Sequence, residues 1–265
     1  AGVAIAHDSR HMSREFAETT AGVLVGNGIP VYVFKELAPT PLLSFAVRHY
    51  KAGAGLVITA SHDPPEYNGY KVYDHKGNQL LTDAAFSISR QMEKLDLEDV
   101  KTVTDPQSDS LWTDLGEDVI QEYYKAVAQI APLSKIDSDL HILYTPLHGT
   151  GGRFVPDVLR AAGFKHVKTV KEQMVPDGNF PTVQSPNPEE AASFQLAFQY
   201  AEEASFDIIL ATDPDADRVG TAVRHSGEWV LLNGNQVGIL LADFILQQLP
   251  GSNRKKAVVI KTIVT

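Results

Sequence analysis

Three aspartates, Asp213, Asp215 and Asp217, stand at alternate positions in a short acidic loop that directly follows the apolar run 206–211. Carboxylates this close together repel one another unless a positive charge lies among them. A compact set of oxygen ligands suits a hard cation such as Mg²⁺. An acidic turn facing solvent is the simpler alternative, but the position at the tip of a very apolar strand favours a metal site.

Two other chemistries place aspartates in a similar pattern. An EF-hand calcium loop begins D-x-D-x-D but requires Gly at its sixth position and Glu at its twelfth. Arg218 and Arg224 stand at those positions, so the sequence excludes an EF-hand. The run 215–219, Asp-Ala-Asp-Arg-Val, also fits the D-x-D-x-[TV] pattern of haloacid-dehalogenase-like phosphatases, whose first aspartate is the nucleophile. A Mg²⁺-dependent phosphatase that uses Asp215 therefore stays open as an alternative.

A second polar loop, 59–65, reads Thr-Ala-Ser-His-Asp-Pro-Pro and follows a predicted buried strand. Ser61 and His62 thus stand at the exit of that strand, in an exposed loop that two prolines stiffen. An ordinary turn is the simpler interpretation, because Ser, Asp and Pro are common turn residues. A chemical role for the Ser61 hydroxyl is the alternative that the acidic loop makes more attractive.

Three further side chains carry weaker signals. Lys71 could transfer a proton, or it could be an ordinary lysine at a strand edge. Arg10 closes the first predicted strand at the same sheet edge as the serine, where it could pair with Asp8 or contact a phosphate. His148 precedes the run 149–152, Gly-Thr-Gly-Gly, whose backbone N–H groups could hold a phosphate at a helix N-terminus. A strand-to-helix turn with a hydrogen-bonded histidine is the simpler interpretation of that run.

The composition excludes several classes of protein. The 265 residues carry a net charge of −10 and no cluster of Lys and Arg, which argues against nucleic acid and against an anionic membrane surface. There is no cysteine, so disulfides and thiolate metal sites are excluded. No apolar run approaches the roughly 18 residues that a transmembrane helix needs. We therefore expect a cytoplasmic protein that acts on a small molecule, and a phosphorylated substrate is compatible with its acidic chain.

The elements that must position these loops alternate between strands and helices in two similar halves. The predicted strands are 2–7, 29–34 and 55–60 in the first half, and 140–145, 167–170 and 206–211 in the second. A hairpin and a helix follow in each half, at 70–81 and 83–95, and at 219–232 and 236–249. The βαβαβ order implies right-handed crossovers. The expected fold is α/β, with two similar three-layer α/β/α domains built on mainly parallel mixed sheets.

Ser61 and Asp213 therefore occupy equivalent places, at the carboxyl ends of corresponding strands, where ligands bind in open α/β sheets. The expected domains are 1–131, which bears the serine, 132–260, which bears the metal site, and 261–265, the beginning of a third. The connecting segments are expected to be a surface connection over 96–112, a helix over 115–130 and a linker over 132–139.

Five motifs together resemble those of the α-D-phosphohexomutase superfamily, most closely its phosphoglucomutases of the bacterial type. They are T-A-S-H-D-P-P-E-Y-N-G-Y-K at 59–71, T-P-L-H-G-T-G-G at 145–152, P-D-G-N-F-P at 176–181, D-P-D-A-D-R at 213–218 and G-N-Q at 234–236. The motifs agree with the family in order and spacing and extend over nearly the whole chain. The resemblance implies an intramolecular phosphotransferase that interconverts hexose 1-phosphate and hexose 6-phosphate, with glucose favoured.

The resemblance also implies roles for individual residues. Ser61 would carry a phosphoryl group, and a phosphoserine oxygen would join Asp213, Asp215 and Asp217 around Mg²⁺. A hexose 1,6-bisphosphate would be both intermediate and activator. The other residues assigned by the resemblance are Arg218 for charge stabilisation, Lys71 and His62 for the hydroxyl proton, and Arg10 and His148 for substrate or phosphate.

The chain departs from the family pattern in two respects. Asp63 stands where members of the family usually have Asn after Ser-His, which places an extra carboxylate beside the serine. Both ends look like cuts through a longer protein, and the sugar-recognition loop and terminal phosphate-binding loop of the family are not seen. We therefore expect the missing C-terminal domains as partners and little turnover by these residues alone. A phosphopentomutase and a non-catalytic binding module remain alternatives.

Overall fold

The protein is described by a computed structural model over residues 1–130 and 138–261. We refer to the first range as the first domain and to the second range as the second domain. In the first domain the strands are β1 (Val3–His7), β2 (Val31–Phe34), β3 (Ala54–Ile58), β4 (Tyr70–Asp74) and β5 (Trp112–Leu115). Its helices are α1 (Ser13–Gly26), α2 (Thr40–His49), α3 (Thr82–Met92) and α4 (Glu117–Ile130).

The second domain repeats this plan. Its strands are β6 (His141–Thr145), β7 (His166–Thr169), β8 (Ile208–Thr212), β9 (Val219–His225) and β10 (Glu228–Leu232). Its helices are α5 (Gly151–Ala161), α6 (Gln195–Glu203), α7 (Gly234–Gln248) and α8 (Gly251–Arg254). No helix in the described ranges is both long and apolar enough to cross a membrane.

Each domain is built on a five-stranded mixed sheet. The strand orders are β4-β3-β1-β2-β5 and β10-β9-β8-β6-β7. In both sheets the central pairs are parallel, and the strand that follows the third in sequence, β4 or β9, joins antiparallel. The loop after β3 carries Ser61 and the loop after β8 carries Asp213, so the two loops leave corresponding strands at corresponding edges. The predicted α/β/α architecture is confirmed.

The first sheet is covered by helices on both faces because its central strands are almost entirely apolar. On one face, Ala17, Ala21 and Val25 of α1 pack against Ile5 and its neighbours. On the other face, α2 and α4 contribute the larger cluster, and the α2 side chains in it have no exposed surface. Helix α2 is thereby anchored along its whole apolar side. This burial holds the first turn of α2, which begins at Thr40, in a fixed position.

Helix α4 joins the two domains. Phe154 of α5 belongs to the same buried cluster as Val119 and Ile120 of α4, and its ring meets that of Tyr124 edge-on at 6.2 Å. Around this contact, the guanidinium of Arg153 forms an ion pair with Glu117. The first core therefore extends into the second domain, and burial of apolar surface holds the two sheets together.

The structure differs from the sequence-based expectations at two places. The stretch 96–112 was expected to be a connection and 115–130 a helix, but residues 112–115 form the edge strand β5, parallel to β2. Its central residues are polar and exposed, so it lacks the apolar run of a buried strand. The hairpin after the serine loop keeps β4, but its second arm makes only a single bridge, Tyr73 to Gln79, in the described residues. Most of the expected linker and most of the third-domain segment lie outside the described residues.

Candidate active site

The Ser61 hydroxyl points at the acidic loop of the second domain. Its Oγ donates a hydrogen bond to Asp213 Oδ2 at 2.9 Å, across 152 positions of sequence. The backbone of Ser61 is in the left-handed region, with φ of 54°, and its N–H donates to Thr59 Oγ1 at 2.8 Å. Non-glycine residues adopt this conformation rarely, and such residues cluster at functional sites. The loop is thus held in a costly shape that presents the hydroxyl across the domain boundary.

Arg10 holds that loop in place. Its side chain is buried, and its guanidinium donates to four backbone carbonyls of the loop, those of Ser61, Asp63, Pro64 and Tyr67, at distances from 2.5 to 3.1 Å. A planar guanidinium with five donors suits such a fork of contacts. The structure therefore shows Arg10 engaged with the serine loop, and its expected contact with phosphate stays a prediction.

Asp8 is the acidic partner of this arginine. Its carboxylate lies 3.4 Å from Arg10 Nε and accepts hydrogen bonds of 2.7 Å from the hydroxyls of Thr59 and Ser13. Both side chains of the ion pair are fully buried. A buried charge that loses its partner is strongly destabilising, because nothing then offsets its loss of hydration.

Substituting Arg10 with alanine is therefore expected to destabilise the protein by about 3–5 kcal/mol, since it leaves Asp8 unpaired and four carbonyls without a donor. Urea unfolding at equilibrium measures the change. Arg14→Ala is the matched control, because Arg14 is exposed and pairs with Glu18 one helical turn away; its effect should stay within about 0.5 kcal/mol. Equal effects of the two substitutions would contradict the role assigned to Arg10.

The three aspartates of the acidic loop converge as the sequence predicts. One carboxylate oxygen from each of Asp213, Asp215 and Asp217 lies within 4.8 Å of the other two, the one such group of three found in the described residues. Asp213 and Asp215 are fully buried, whereas Asp217 is partly exposed. Burial, followed by the charges of the other two aspartates, raises the pKa of the Asp213 carboxyl to about 8. The cluster thus carries an electrostatic cost that a bound cation would relieve.

One oxygen of this cluster has no hydrogen-bond partner among the described residues. Asp215 Oδ1 is buried and accepts no hydrogen bond, although its other oxygen accepts two. Buried polar atoms without a partner are rare in native proteins, and a place in a cation-binding site is a standard reason for one. Oxygen donors, close spacing and a free buried oxygen together fit a hard divalent cation.

Lys71 is the cation that the chain itself brings to the cluster. Its Nζ lies 2.7 Å from Asp215 Oδ2 and 2.7 Å from Asp217 Oδ2, so it bridges β4 of the first domain and the acidic loop. Burial lowers the pKa of Lys71, but the charge of Asp215 and hydrogen bonds to both aspartates outweigh it and leave the pKa raised. Lys71 therefore keeps its proton in this arrangement and donates hydrogen bonds to both aspartates.

His62 and Arg218, two further residues predicted from the sequence, also contact Ser61 and Asp213. His62 Nδ1 lies 3.2 Å from Ser61 Oγ, within reach for passing a proton. The backbone N–H of Arg218 donates to Asp213 Oδ1 at 3.0 Å, while its side chain lies partly exposed and pairs with Glu189.

Asp63, the residue that departs from the family pattern, is exposed. The extra negative charge therefore lies in solvent contact.

The glycine run 149–152, which follows β6, packs against the acidic loop. A side chain at Gly149 would collide with the backbone of Pro214, and one at Gly151 would collide with the hydroxyls of Tyr144 and Thr212. The N–H of Thr150 donates to the Pro214 carbonyl at 2.8 Å. These glycines let two backbone segments approach closely, in agreement with the simpler interpretation of a strand-to-helix turn.

His148 is part of this support. The side chain is buried, Nδ1 donates to the carbonyl of Val175 at 2.9 Å, and Nε2 accepts from Thr182 Oγ1 at 2.8 Å. Both ring nitrogens are therefore used inside the second domain. This is the hydrogen-bonded turn histidine of the simpler interpretation, and phosphate binding by His148 stays a prediction.

Sequence reasoning missed contacts that join the domains at the site. The motif 176–181 packs on the Arg10 loop: Phe180 is buried with the guanidinium 5.1 Å from its ring centre, and a side chain at Gly178 would come within 2.7 Å of the His11 amide. Thr40 reaches from the first turn of α2 to Asp215. In the sequence, Thr40 followed by Pro41 has only the local pattern of a helix start, and that pattern gives no indication of Asp215.

Two family models match successive parts of the chain. The family model described as phosphoglucomutase/phosphomannomutase, alpha/beta/alpha domain I, matches residues 1–99, and that described as domain II matches residues 121–227. A phosphoglucomutase of Staphylococcus aureus (strain MRSA252) is 40% identical over 266 residues, which cover 99% of this chain and 48% of the relative. The chain thus spans about half the length of the curated relatives that it matches.

Solved structures share the arrangement of the elements. A Thermus thermophilus protein described as a candidate phosphomannomutase superposes with a TM-score of 0.76 and 30% identity, over 91% of this chain and 52% of that one. The N-acetylphosphoglucosamine mutase of Aspergillus fumigatus, solved with GlcNAc-6P and magnesium, shares the fold at a TM-score of 0.53 and 16% identity, over 86% of this chain and 52% of that one. Because two successive domain models of one family match in order, and a close relative and a solved structure agree with them, this chain belongs to the phosphoglucomutase/phosphomannomutase family of phosphohexomutases.

Proposed function

We propose that the chain belongs to a phosphosugar mutase that interconverts hexose 1-phosphate and hexose 6-phosphate, with glucose phosphate as the favoured substrate. The observation that carries the proposal is the 2.9 Å contact between the Ser61 hydroxyl and Asp213 of the acidic cluster. A serine placed against three carboxylates is a poor site for a doubly charged phosphoryl group unless a cation lies there too. The serine and the cluster therefore make chemical sense as one site.

The three aspartates would hold Mg²⁺, through the free Asp215 Oδ1 and one oxygen each from Asp213 and Asp217. The magnesium bound by the Aspergillus fumigatus enzyme supports the choice of ion. When bound, Mg²⁺ supplies the positive charge that stabilises phosphoryl transfer at a phosphoserine. An oxygen of phosphorylated Ser61 would complete its shell.

In the proposed reaction the phosphoryl group moves from Ser61 Oγ to a hydroxyl of the hexose phosphate. The bond between phosphorus and Oγ breaks, a new bond to the sugar oxygen forms, and the proton of the sugar hydroxyl ends on Oγ. His62, 3.2 Å from Oγ, is placed to deliver that proton, and protonated Lys71 offsets charge beside it. The resulting hexose 1,6-bisphosphate then turns around and returns its other phosphoryl group to the serine.

Arg218 is assigned to charge stabilisation in this proposal. Its side chain is partly exposed and pairs with Glu189 on the surface, so it can exchange that partner for a phosphoryl oxygen at small cost. Arg10 acts differently, because it holds the carbonyls of the serine loop from within the first domain.

The proposal is tested by trapping the phosphorylated residue in the full-length protein. Incubation with glucose 1,6-bisphosphate and Mg²⁺ is expected to add one phosphoryl group by intact mass, and peptide mapping should place it on Ser61. Label on Asp215 would support the aspartyl-nucleophile phosphatase instead. A protein that gains no phosphoryl group would favour a non-catalytic binding module. Comparing kcat/KM for glucose 1-phosphate and ribose 1-phosphate separates the hexose proposal from a phosphopentomutase.

A further inference from the structure

Thr40 connects the first domain to the metal-binding loop of the second. It is the first residue of α2 and is buried. Its hydroxyl donates to Asp215 Oδ2 at 2.6 Å, and its backbone N–H donates to the Asp215 carbonyl oxygen at 2.9 Å. The two residues are 175 positions apart in the chain. Two hydrogen bonds from one residue to one residue fix both the position and the rotation of the aspartate.

These contacts leave the two carboxylate oxygens of Asp215 in different surroundings. Oδ2 accepts from the Thr40 hydroxyl and from Lys71 Nζ, the latter at 2.7 Å. Oδ1 is buried and has no hydrogen-bond partner in the described part of the chain. The two oxygens of a carboxylate are equivalent, so the donors fix the plane of the group rather than the identity of the oxygen: one oxygen stays bonded to Thr40 and Lys71, and the other stays available.

Thr40 is well suited to this task because its own position is rigid. The preceding residue, Pro39, is extended with φ of −67° and ψ of 149°, and Pro41 follows at the start of the helix. Leu42 and Leu43, in the same turn, have no exposed surface. A threonine hydroxyl on such a support loses little freedom when it makes a hydrogen bond, and the N-terminal end of a helix also attracts negative charge.

We propose that Thr40 is a positioning residue of the divalent-cation site: by fixing Asp215 Oδ2, it orients the partnerless Oδ1 toward the cation held by the three aspartates. The inference rests on the metal site of the proposed function and goes beyond it. It makes the cation affinity of the second domain depend on a residue of the first domain. Partners that orient a metal ligand in this way typically contribute about 10–100-fold in metal affinity.

The test measures Mg²⁺ affinity by isothermal titration calorimetry on the full-length protein, with no sugar present. Thr40→Val removes the hydroxyl, keeps the backbone N–H and preserves the shape, so it should weaken Mg²⁺ binding by roughly tenfold. Thr40→Ser restores the hydroxyl and should bind within about twofold of the wild type, a rescue that loss of packing alone would not give. Thr221→Val is the matched control, because Thr221 is a buried threonine of β9 that lies opposite Leu210 of β8 rather than in the acidic loop, and it should leave the affinity unchanged.

Thr40→Ala serves as a second variant if valine prevents folding, and thermal unfolding verifies that each variant is folded. Wild-type affinity in both Thr40→Val and Thr40→Ala would overturn the positioning role while leaving the metal site intact. Equal weakening in Thr40→Ser and Thr40→Val would also overturn it, because the hydroxyl would then be irrelevant. A wild-type protein that binds no Mg²⁺ would overturn the metal site and this inference together, an outcome distinct from the other two.

Discussion

Ser61→Ala in the full-length protein is expected to lower mutase turnover by about a thousandfold or more, because in the proposed mechanism Ser61 carries the transferred group and its removal abolishes the covalent step. A thousandfold loss corresponds to about 4 kcal/mol of transition-state stabilisation. The measurement is the rate of glucose 6-phosphate formation from glucose 1-phosphate, with catalytic glucose 1,6-bisphosphate and saturating Mg²⁺. Melting temperature should change little, since Ser61 lies in a partly exposed loop.

The matched control for Ser61→Ala is Ser87→Ala, which removes an exposed serine hydroxyl from α3 in the same domain. It should retain full turnover. The same pair of variants discriminates between the two enzymatic hypotheses. If Asp215 were the nucleophile, Ser61→Ala would keep most of its phosphate-releasing activity, and retention of more than about a tenth of wild-type turnover would contradict the proposed serine chemistry.

The second large effect is expected at the acidic cluster. Asp215→Asn should weaken Mg²⁺ binding by more than about a hundredfold, because a neutral amide replaces a buried anionic ligand. Asp213→Asn should have a comparable effect, and substitution of the partly exposed Asp217 a smaller one. Calorimetric titration measures the affinity, and the rise in melting temperature with added Mg²⁺ gives an independent readout, since a ligand of the folded state stabilises it.

The substitution that weakens Mg²⁺ binding should stabilise the protein when no metal is present. Asp213 is buried among like charges, so Asp213→Asn removes repulsion and is expected to raise the melting temperature in the presence of EDTA. Asp243→Asn, at an exposed aspartate on α7, is the control and should change neither quantity. If Asp213→Asn destabilised the metal-free protein and left its Mg²⁺ affinity intact, the cluster would be structural rather than a cation site.

The sequence predicts much of this architecture. Apolar runs of strand length alternate with amphipathic helical stretches, so the two βαβαβ halves and their parallel cores follow from periodicity and burial alone. Ligands bind at the carboxyl ends of such strands, and this rule alone indicates Ser61 and the acidic loop as candidate site residues. The exception was β5, because a short edge strand with polar, exposed residues carries no such periodicity.

The sequence did not predict which residues contact one another across the domain boundary. The sequence left Arg10 either to pair with Asp8 or to contact a phosphate, and the structure shows the pair with Asp8. It also shows contacts that the sequence did not predict, from the guanidinium to the carbonyls of the serine loop, because buried carbonyls in a tight loop need donors. The pattern Thr40-Pro41 is typical of a helix start, yet the Thr40 hydroxyl is bonded to an aspartate 175 positions away. Local preference describes a residue and its near neighbours, and it carries no information about a group that another domain brings into contact.

The amino-acid sequence by itself thus determined the fold class, the two loops and the residue types that could do chemistry, since these depend on local pattern and on the geometry of parallel sheets. Only the tertiary structure decided that Ser61 meets Asp213, that Lys71 and Thr40 share one oxygen of Asp215, and that its other oxygen is left free among the described residues. The physical reason is that these contacts arise from the docking of two separately patterned sheets, whose relative position depends on packing along α4 and at the facing loops.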